Sequence, residues 1–266
     1  MAGSLLLELR GITKRFGAVQ ALRGVDLEVR AGEVVALVGD NGAGKSTLIG
    51  VMSGTVVCDT GQLLFEGRPA TLTGPKDASA LGVATVYQDL ALCDNLDIVA
   101  NLFLGRETAR PGGPLGWLDE VAMERQARTL LDQLEVSVPS LRSRVGALSG
   151  GQRQSIAVAR SMMGDPKVVL LDEPTAALGV AQSRQVLALV GRLRERGLGV
   201  VIISHNLADV FAISDRIVVL RLGQRVATFD TKSAHEVEVV GAITGASEKA
   251  AARAAQAKAK AEAEAS

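Results

Sequence analysis

The sequence predicts an α/β protein, with a buried, mostly parallel sheet, an antiparallel β subdomain and an inserted helical segment. Three observations carry this. Val34-Val35-Ala36-Leu37-Val38 is continuously apolar and runs straight into a glycine turn followed by a helix reading Thr47 to Ser53. Such a run marks a strand covered on both faces. Apolar runs recur at 83–87, 168–172 and 200–204, the further parallel strands such a sheet needs. Residues 5–10 and 22–30 instead alternate apolar and polar positions, the latter through Leu22, Val25, Leu27 and Val29, as half-buried antiparallel strands do.

Between about 89 and 157 the pattern changes. Pro111-Gly112-Gly113-Pro114 reads as a loop, and Trp117 to Glu135 as a helix with Val121, Met123, Ala127, Leu130, Leu131 and Leu134 on its apolar face. This stretch is expected to form a helical subdomain inserted into the sheet domain. Strands at 217–221 and 224–229 close that domain, which extends over 1–246. From Ser247 onward alanine dominates, with scattered Lys, Arg and Glu, and 247–266 is expected to be a solvated tail. No internal repeat is visible, so one unit is expected rather than two.

Composition narrows the functions. The 266 residues carry 29 basic and 29 acidic side chains, so no global field draws the chain to nucleic acid, and none is expected as a partner. Cys58 and Cys93 lack metal or redox spacing and read as small, reduced apolar residues. The first ten residues lack the pattern of a signal peptide. No window reaches the roughly 18 consecutive apolar residues of a spanning helix. Any membrane role is therefore expected to come through a partner.

Two segments carry phosphate chemistry. Gly39, Asp40, Asn41, Gly42, Ala43, Gly44, Lys45 and Ser46 have the P-loop spacing G-x-x-x-x-G-K-S. Its glycines let backbone N–H groups turn in around the β- and γ-phosphates, with a helix N-terminus behind them. Lys45 can neutralise phosphate charge, the Ser46 hydroxyl can ligate Mg²⁺, and Thr47 adds a hydroxyl near the α-phosphate. Val168 to Leu171 ends on Asp172-Glu173, at the strand end where open α/β sheets hold ligands. Asp172 suits a carboxylate that holds Mg²⁺ through its water shell, and Glu173 suits a general base for an attacking water.

Leu148-Ser149-Gly150-Gly151-Gln152 introduces another helix, with Ser149 as its cap and two glycines that leave N–H groups open to a γ-phosphate oxygen. At average composition these five residues arise by chance in about one chain in several thousand. Together with the P-loop they resemble the ATP-binding cassette of ABC transporters, over residues 5 to about 240. The resemblance implies a P-loop NTPase (RecA-like) core and ATP hydrolysis that drives solute movement. It implies that Gln88 senses Mg²⁺ and the attacking water beside the membrane subunit, that His205 touches the γ-phosphate, and that Phe16 stacks on adenine. It also implies a head-to-tail pair, a homodimer or two different cassettes. There Ser149, Gly150, Gly151 and Gln152 cover the nucleotide held by the other protomer.

One departure stands out: where the family commonly reads Ser-Ala-Leu-Asp after Pro-Thr, this chain reads Ala176-Ala177-Leu178-Gly179, without the carboxylate. Asn101 to Glu107 and Ser149 to Arg160 look like the ATP-binding subunits of bacterial monosaccharide importers. Among those, lone-cassette fructose importers are the best match. This implies integral-membrane permease subunits, a periplasmic sugar-binding protein and a peripheral position on the cytoplasmic face of the inner membrane. The alternatives are a non-transport ABC ATPase and a small-molecule P-loop kinase. The first usually shows a coiled coil or paired cassettes, and the second needs neither Leu148 to Gln152 nor His205.

Overall fold

The computed structural model describes residues 3–110 and 117–246. The loop expected at 111–114 and the tail at 247–266 lie outside these residues. In chain order the first half carries β1 (Leu5–Phe16), β2 (Val19–Arg30), β3 (Val34–Val38), α1 (Lys45–Met52), β4 (Thr60–Phe65), β5 (Arg68–Ala70), α2 (Pro75–Leu81) and β6 (Val83–Val86). Then come α3 (Ile98–Phe103), α4 (Glu120–Gln133), α5 (Gly150–Met162), β7 (Val168–Asp172), α6 (Val180–Glu195) and β8 (Gly199–Ile203). The chain continues through α7 (Leu207–Ile213), β9 (Arg216–Arg221), β10 (Gln224–Asp230) and α8 (Glu236–Thr244).

Two sheets organise these elements. An antiparallel sheet of four strands has the order β2-β1-β4-β5, and a six-stranded sheet has the order β10-β9-β3-β8-β7-β6. In the larger sheet β9, β3, β8, β7 and β6 run parallel, and only β10 is antiparallel. The unbroken apolar run of β3 follows from this position. Val34, Ala36 and Val38 face a core shared with α5 and α6, while Val35 and Leu37 face one shared with α1 and the antiparallel sheet. Each face is dry, and each fully buried Val, Leu or Ile contributes roughly 1.5–3 kcal/mol. The alternation in β1 and β2 has the matching cause, since Leu7, Leu9, Leu22, Val25, Leu27 and Val29 enter the second core while their neighbours face water.

Among the described residues, the elements named between β6 and β7 are helices. Ile98, Leu102, Met123, Ala127, Leu131, Leu134 and Ile156 join one core that reaches back to the sheet. The loop before α3 is fixed by Asn101, which is fully buried and satisfied. Its side-chain amide donates to the carbonyls of Cys93 and Asp97, and its oxygen accepts from the Cys93 N–H at 2.7 Å. One boundary in this segment differs from the sequence reading. α4 starts at Glu120 rather than Trp117, because the Asp119 carboxylate accepts from Ala122 N–H and caps the helix there. Trp117 and Leu118 instead belong to a short antiparallel pairing with 109–110. α5 runs to Met162, with Ala157, Val158, Ala159 and Met162 buried.

Cys58 and Cys93 are both free and half-buried. Among the described residues no helix is long and apolar enough to cross a membrane.

Candidate active site

The parallel strands bring the candidate residues to one edge of the sheet. β3 ends at Val38 and feeds Gly39. β7 ends on Asp172 and is followed by Glu173, β8 is followed by Ser204-His205, and Gln88 lies two residues beyond β6. Asn41, Gly42, Gly44, Lys45, Ser46, Thr47, Glu173 and His205 line one groove of about 420 Å³. Sequence reasoning missed the other wall. Val19, Gln20, Ala21, Arg23 and Leu222 complete the groove from the β1–β2 hairpin and the β9–β10 turn. The one available signal was an outward Val beside a turn, which surface strands show routinely.

The loop is shaped by contacts that glycine alone permits. Gly39 has φ 150°, and a side chain there would collide with the Leu220 carbonyl on β9. The helical ladder of α1 opens with Leu48 N–H donating to Gly44 O at 2.9 Å, so the N–H groups of Lys45, Ser46 and Thr47 precede it. First-turn donors have no partner within their helix and favour an anion. Lys45 is 7% exposed and donates its ammonium to the carbonyls of Gly39 at 2.6 Å and Asp40 at 2.9 Å. Burial lowers its pKa, while Glu173, Asp40 and Asp172 pull the other way. Incoming phosphate oxygens offer this ammonium a better partner than two neutral carbonyls.

The two carboxylates face different surroundings. Asp172 has its pKa raised by burial first and by the charge of Glu173 second, against the opposing pull of Lys45 and His205. Glu173 sits at φ 52°, a left-handed conformation costly for a residue with a side chain. Its N–H donates to Ile203 O at 3.0 Å, and its Oε1 lies 2.5 Å from His205 Nε2. The turn therefore points the carboxylate away from the strand and against the imidazole at the groove's rim.

A divalent cation fits this arrangement. Ser46 supplies a hydroxyl at the exposed start of α1, and Asp172 supplies a carboxylate whose ionisation burial and the charge of Glu173 disfavour, a penalty that added positive charge relieves. Hard oxygen donors of this kind suit Mg²⁺ completed by phosphate oxygens and water.

The pKa direction gives a testable sign. The folded protein binds a proton at Asp172 more readily than the unfolded chain. This group's contribution to stability therefore falls as pH rises from its unfolded pKa through its raised folded pKa, and stays unfavourable above that. Asp172→Asn is expected to raise the melting temperature of the nucleotide-free protein at neutral pH, by less than the roughly 2–4 °C that 1 kcal/mol brings in a domain of this size. It should also flatten the pH dependence in that window. A melting series across pH reads both, and a lower midpoint at neutral pH contradicts the assignment.

Ser149, Gly150, Gly151 and Gln152 do not reach this groove. Ser149 and Gln152 line a second one, with Ser155, Gln185 and Arg192. Ser149 caps α5, its Oγ accepting from Gln152 N–H at 3.3 Å while Gln152 Oε1 accepts from Ser149 N–H at 3.0 Å. The Ser149 hydroxyl proton remains available as a donor. Gly151 has a packing role that sequence alone did not reveal, since a Cβ there would lie 3.0 Å from Gln182 Cβ on α6. Gly179 caps α6 without a side chain, in an ordinary extended conformation with open space around it, so nothing in the fold requires glycine there. Gln88 is exposed and lines neither groove, although Tyr87 and Asp89 line a third, between β6 and α5. Phe16 is half-exposed at the hairpin, paired across it with Val19 of the first groove.

A strand, glycine loop and helix with a buried lysine, near Asp172 and Glu173 at the end of a strand two places along the sheet, define a P-loop ATPase. The family described as ABC transporter matches residues 22–176, more than half of the chain. The chain belongs to the ABC transporter family. It is 46% identical over 252 residues to the fructose import ATP-binding protein FrcA of Rhizobium meliloti, covering 93% of this chain and 97% of that one. It is 48% identical over 219 residues to the xylose/arabinose import ATP-binding protein XylG of Sulfolobus acidocaldarius, covering 82% and 86%. Among solved structures, an ATP-binding cassette of an ABC transporter in its ADP conformation superposes with a TM-score of 0.75 at 28% identity, covering 90% of this chain and 95% of that one.

Proposed function

We propose that this chain hydrolyses ATP on the cytoplasmic face of the inner membrane to power import of a monosaccharide, fructose first among the candidates. Residues 1–246 form the cassette, and a permease with a periplasmic binding protein selects the sugar. The observation that carries the reading is the pairing of a complete phosphate groove with a capped signature helix that opens onto a different groove. A single chain holds each half of a two-sided site apart, so a second cassette, in our reading another copy, supplies the missing cover. The sugar rests on the similarity to FrcA and XylG, whose lengths this chain nearly spans.

In the reaction, the N–H groups of the P-loop and the Lys45 ammonium bind and orient the triphosphate. Ser46 and Asp172 would hold Mg²⁺, with Gln88 as the further ligand the family resemblance implies, and the cation would supply charge neutralisation on the phosphates. Glu173, held by His205, takes a proton from water as the water oxygen bonds to the γ-phosphorus. The bond from phosphorus to the β–γ bridging oxygen breaks, ADP leaves with that electron pair, and the proton ends on the products at neutral pH. Loss of the γ-phosphate removes the contacts that favour the closed pair, which reopens. The groove of about 290 Å³ beside Gln88, lined by Tyr87, Asp89, Arg106 and Arg160, is the docking place we assign to the permease.

Cells deleted for this chain test the sugar. Uptake of labelled fructose should fall and should return with the wild-type chain but not with Glu173→Gln. Unchanged uptake of fructose with loss of xylose or ribose uptake would move the assignment to that sugar. Unchanged uptake of every monosaccharide would remove it.

A further inference from the structure

The hairpin that carries Phe16 is held from outside by a residue that the catalytic reading does not use. Asp59 lies just before β4, on the stretch leading from the P-loop helix α1 into the antiparallel sheet. It grips three consecutive residues of β1. Its N–H donates to Thr13 O at 2.8 Å, its Oδ1 accepts from Lys14 Nζ at 2.8 Å, and its Oδ2 accepts from Arg15 N–H at 2.7 Å. Beside it the hydroxyls of Thr13 and Thr60 meet at 2.7 Å. The Lys14 ammonium, 2.8 Å from Asp59, also lies 5.4 Å from the centroid of the Phe16 ring. That is cation–π range.

We propose that Asp59 and Lys14 are positioning residues for the adenine base: Asp59 fixes the β1 arm and the ammonium, and Lys14 occupies one face of Phe16, leaving the other for the nucleotide. Two physical effects follow. A ring covered on one side stacks on one side only, which fixes where the base lies relative to the phosphates. A cation on the far face also draws π density away from the near one, which suits stacking against an electron-rich purine. Because Asp59 follows α1 in the chain, the same clamp ties the base platform to the phosphate cradle. The inference rests on the reading of Phe16 as the adenine platform, and its test separates the two.

The measurement is equilibrium binding of ATP, with inorganic tripolyphosphate as the base-free probe, on the full chain and its variants. Asp59→Ala should weaken ATP binding about three- to tenfold, and Lys14→Met about two- to fivefold, both with tripolyphosphate binding within about twofold of wild type. Lys14→Arg keeps a cation over the ring and should restore most of the loss. In steady state Asp59→Ala should raise KM, with kcat changing less. Asp59→Ala should add nothing in a Phe16→Ala background, where the ring it positions is gone. If Phe16→Ala weakens ATP binding while Asp59→Ala and Lys14→Met do not, the clamp is overturned and the platform stands. If Phe16→Ala has no effect, platform and clamp fall together. Equal weakening of tripolyphosphate and ATP also overturns the clamp, because it reports a general loosening; Lys14→Met, which keeps the unbranched aliphatic stem, guards against loss of fold.

Discussion

Glu173→Gln is expected to lower kcat for ATP hydrolysis by about 10²–10⁴-fold, the range for removing a positioned general base. The substitution keeps the side chain's size but removes the charge that accepts a proton. Nucleotide binding should survive, because the groups we propose for phosphate are Lys45 and the first-turn N–H groups of α1. The 2.5 Å contact between Glu173 Oε1 and His205 Nε2 can persist in the variant, with the new amide oxygen as a neutral acceptor, so the turn at φ 52° keeps its shape. The affinity for ATP should therefore match or exceed that of wild type, with turnover nearly absent. Single-turnover kinetics with labelled ATP separates binding from cleavage. A variant that cleaves at the wild-type rate removes Glu173 from the role of base.

Lys45→Ala carries the second large effect, on binding as well as on rate. The ammonium is nearly buried and holds the carbonyls of Gly39 and Asp40. Its removal takes away a charge-assisted phosphate contact of about 1.5–3 kcal/mol, on the order of 10- to 100-fold in ATP affinity. It also leaves Asp172 without one of the two positive neighbours that oppose the rise in its pKa. In the metal-free protein that pKa should rise further. Titration calorimetry reads the affinity directly. Wild-type affinity and turnover in Lys45→Ala would contradict the P-loop assignment.

The phosphate end of the site was legible in the sequence because each element leaves a local mark. A strand buried on both faces, as β3 and the first four residues of β7 are, must be apolar at those positions, and a chain that approaches phosphate closely favours glycine. The base end left almost no mark. Residues 11–16 of β1 extend beyond the alternating pattern as an arm with a single buried side chain, Ile12, and its anchor Asp59 is 45 residues from Lys14 in sequence. β4 was silent for a related reason: its first three residues are exposed and its last three buried, so it shows no period of two. α2 buries only Ala78 and has no apolar stripe to read. The glycines of Leu148 to Gln152 were recognised by resemblance, yet their packing against α6 depends on a helix far downstream. Gly179 remains the chain's departure from its family, and the open space around it accepts an aspartate without strain.

On the proposed reading ATP is held between two copies of the chain, and the mass of Glu173→Gln in solution tests this most directly. Light scattering on that variant should report twice the mass of a single chain with ATP and one chain mass with ADP. Adding Ser149→Arg, which blocks the cap while leaving the P-loop intact, should return it to one chain mass with ATP still bound. A Glu173→Gln protein saturated with ATP that stays at one chain mass would contradict the two-sided site, as would a dimer indifferent to Ser149→Arg.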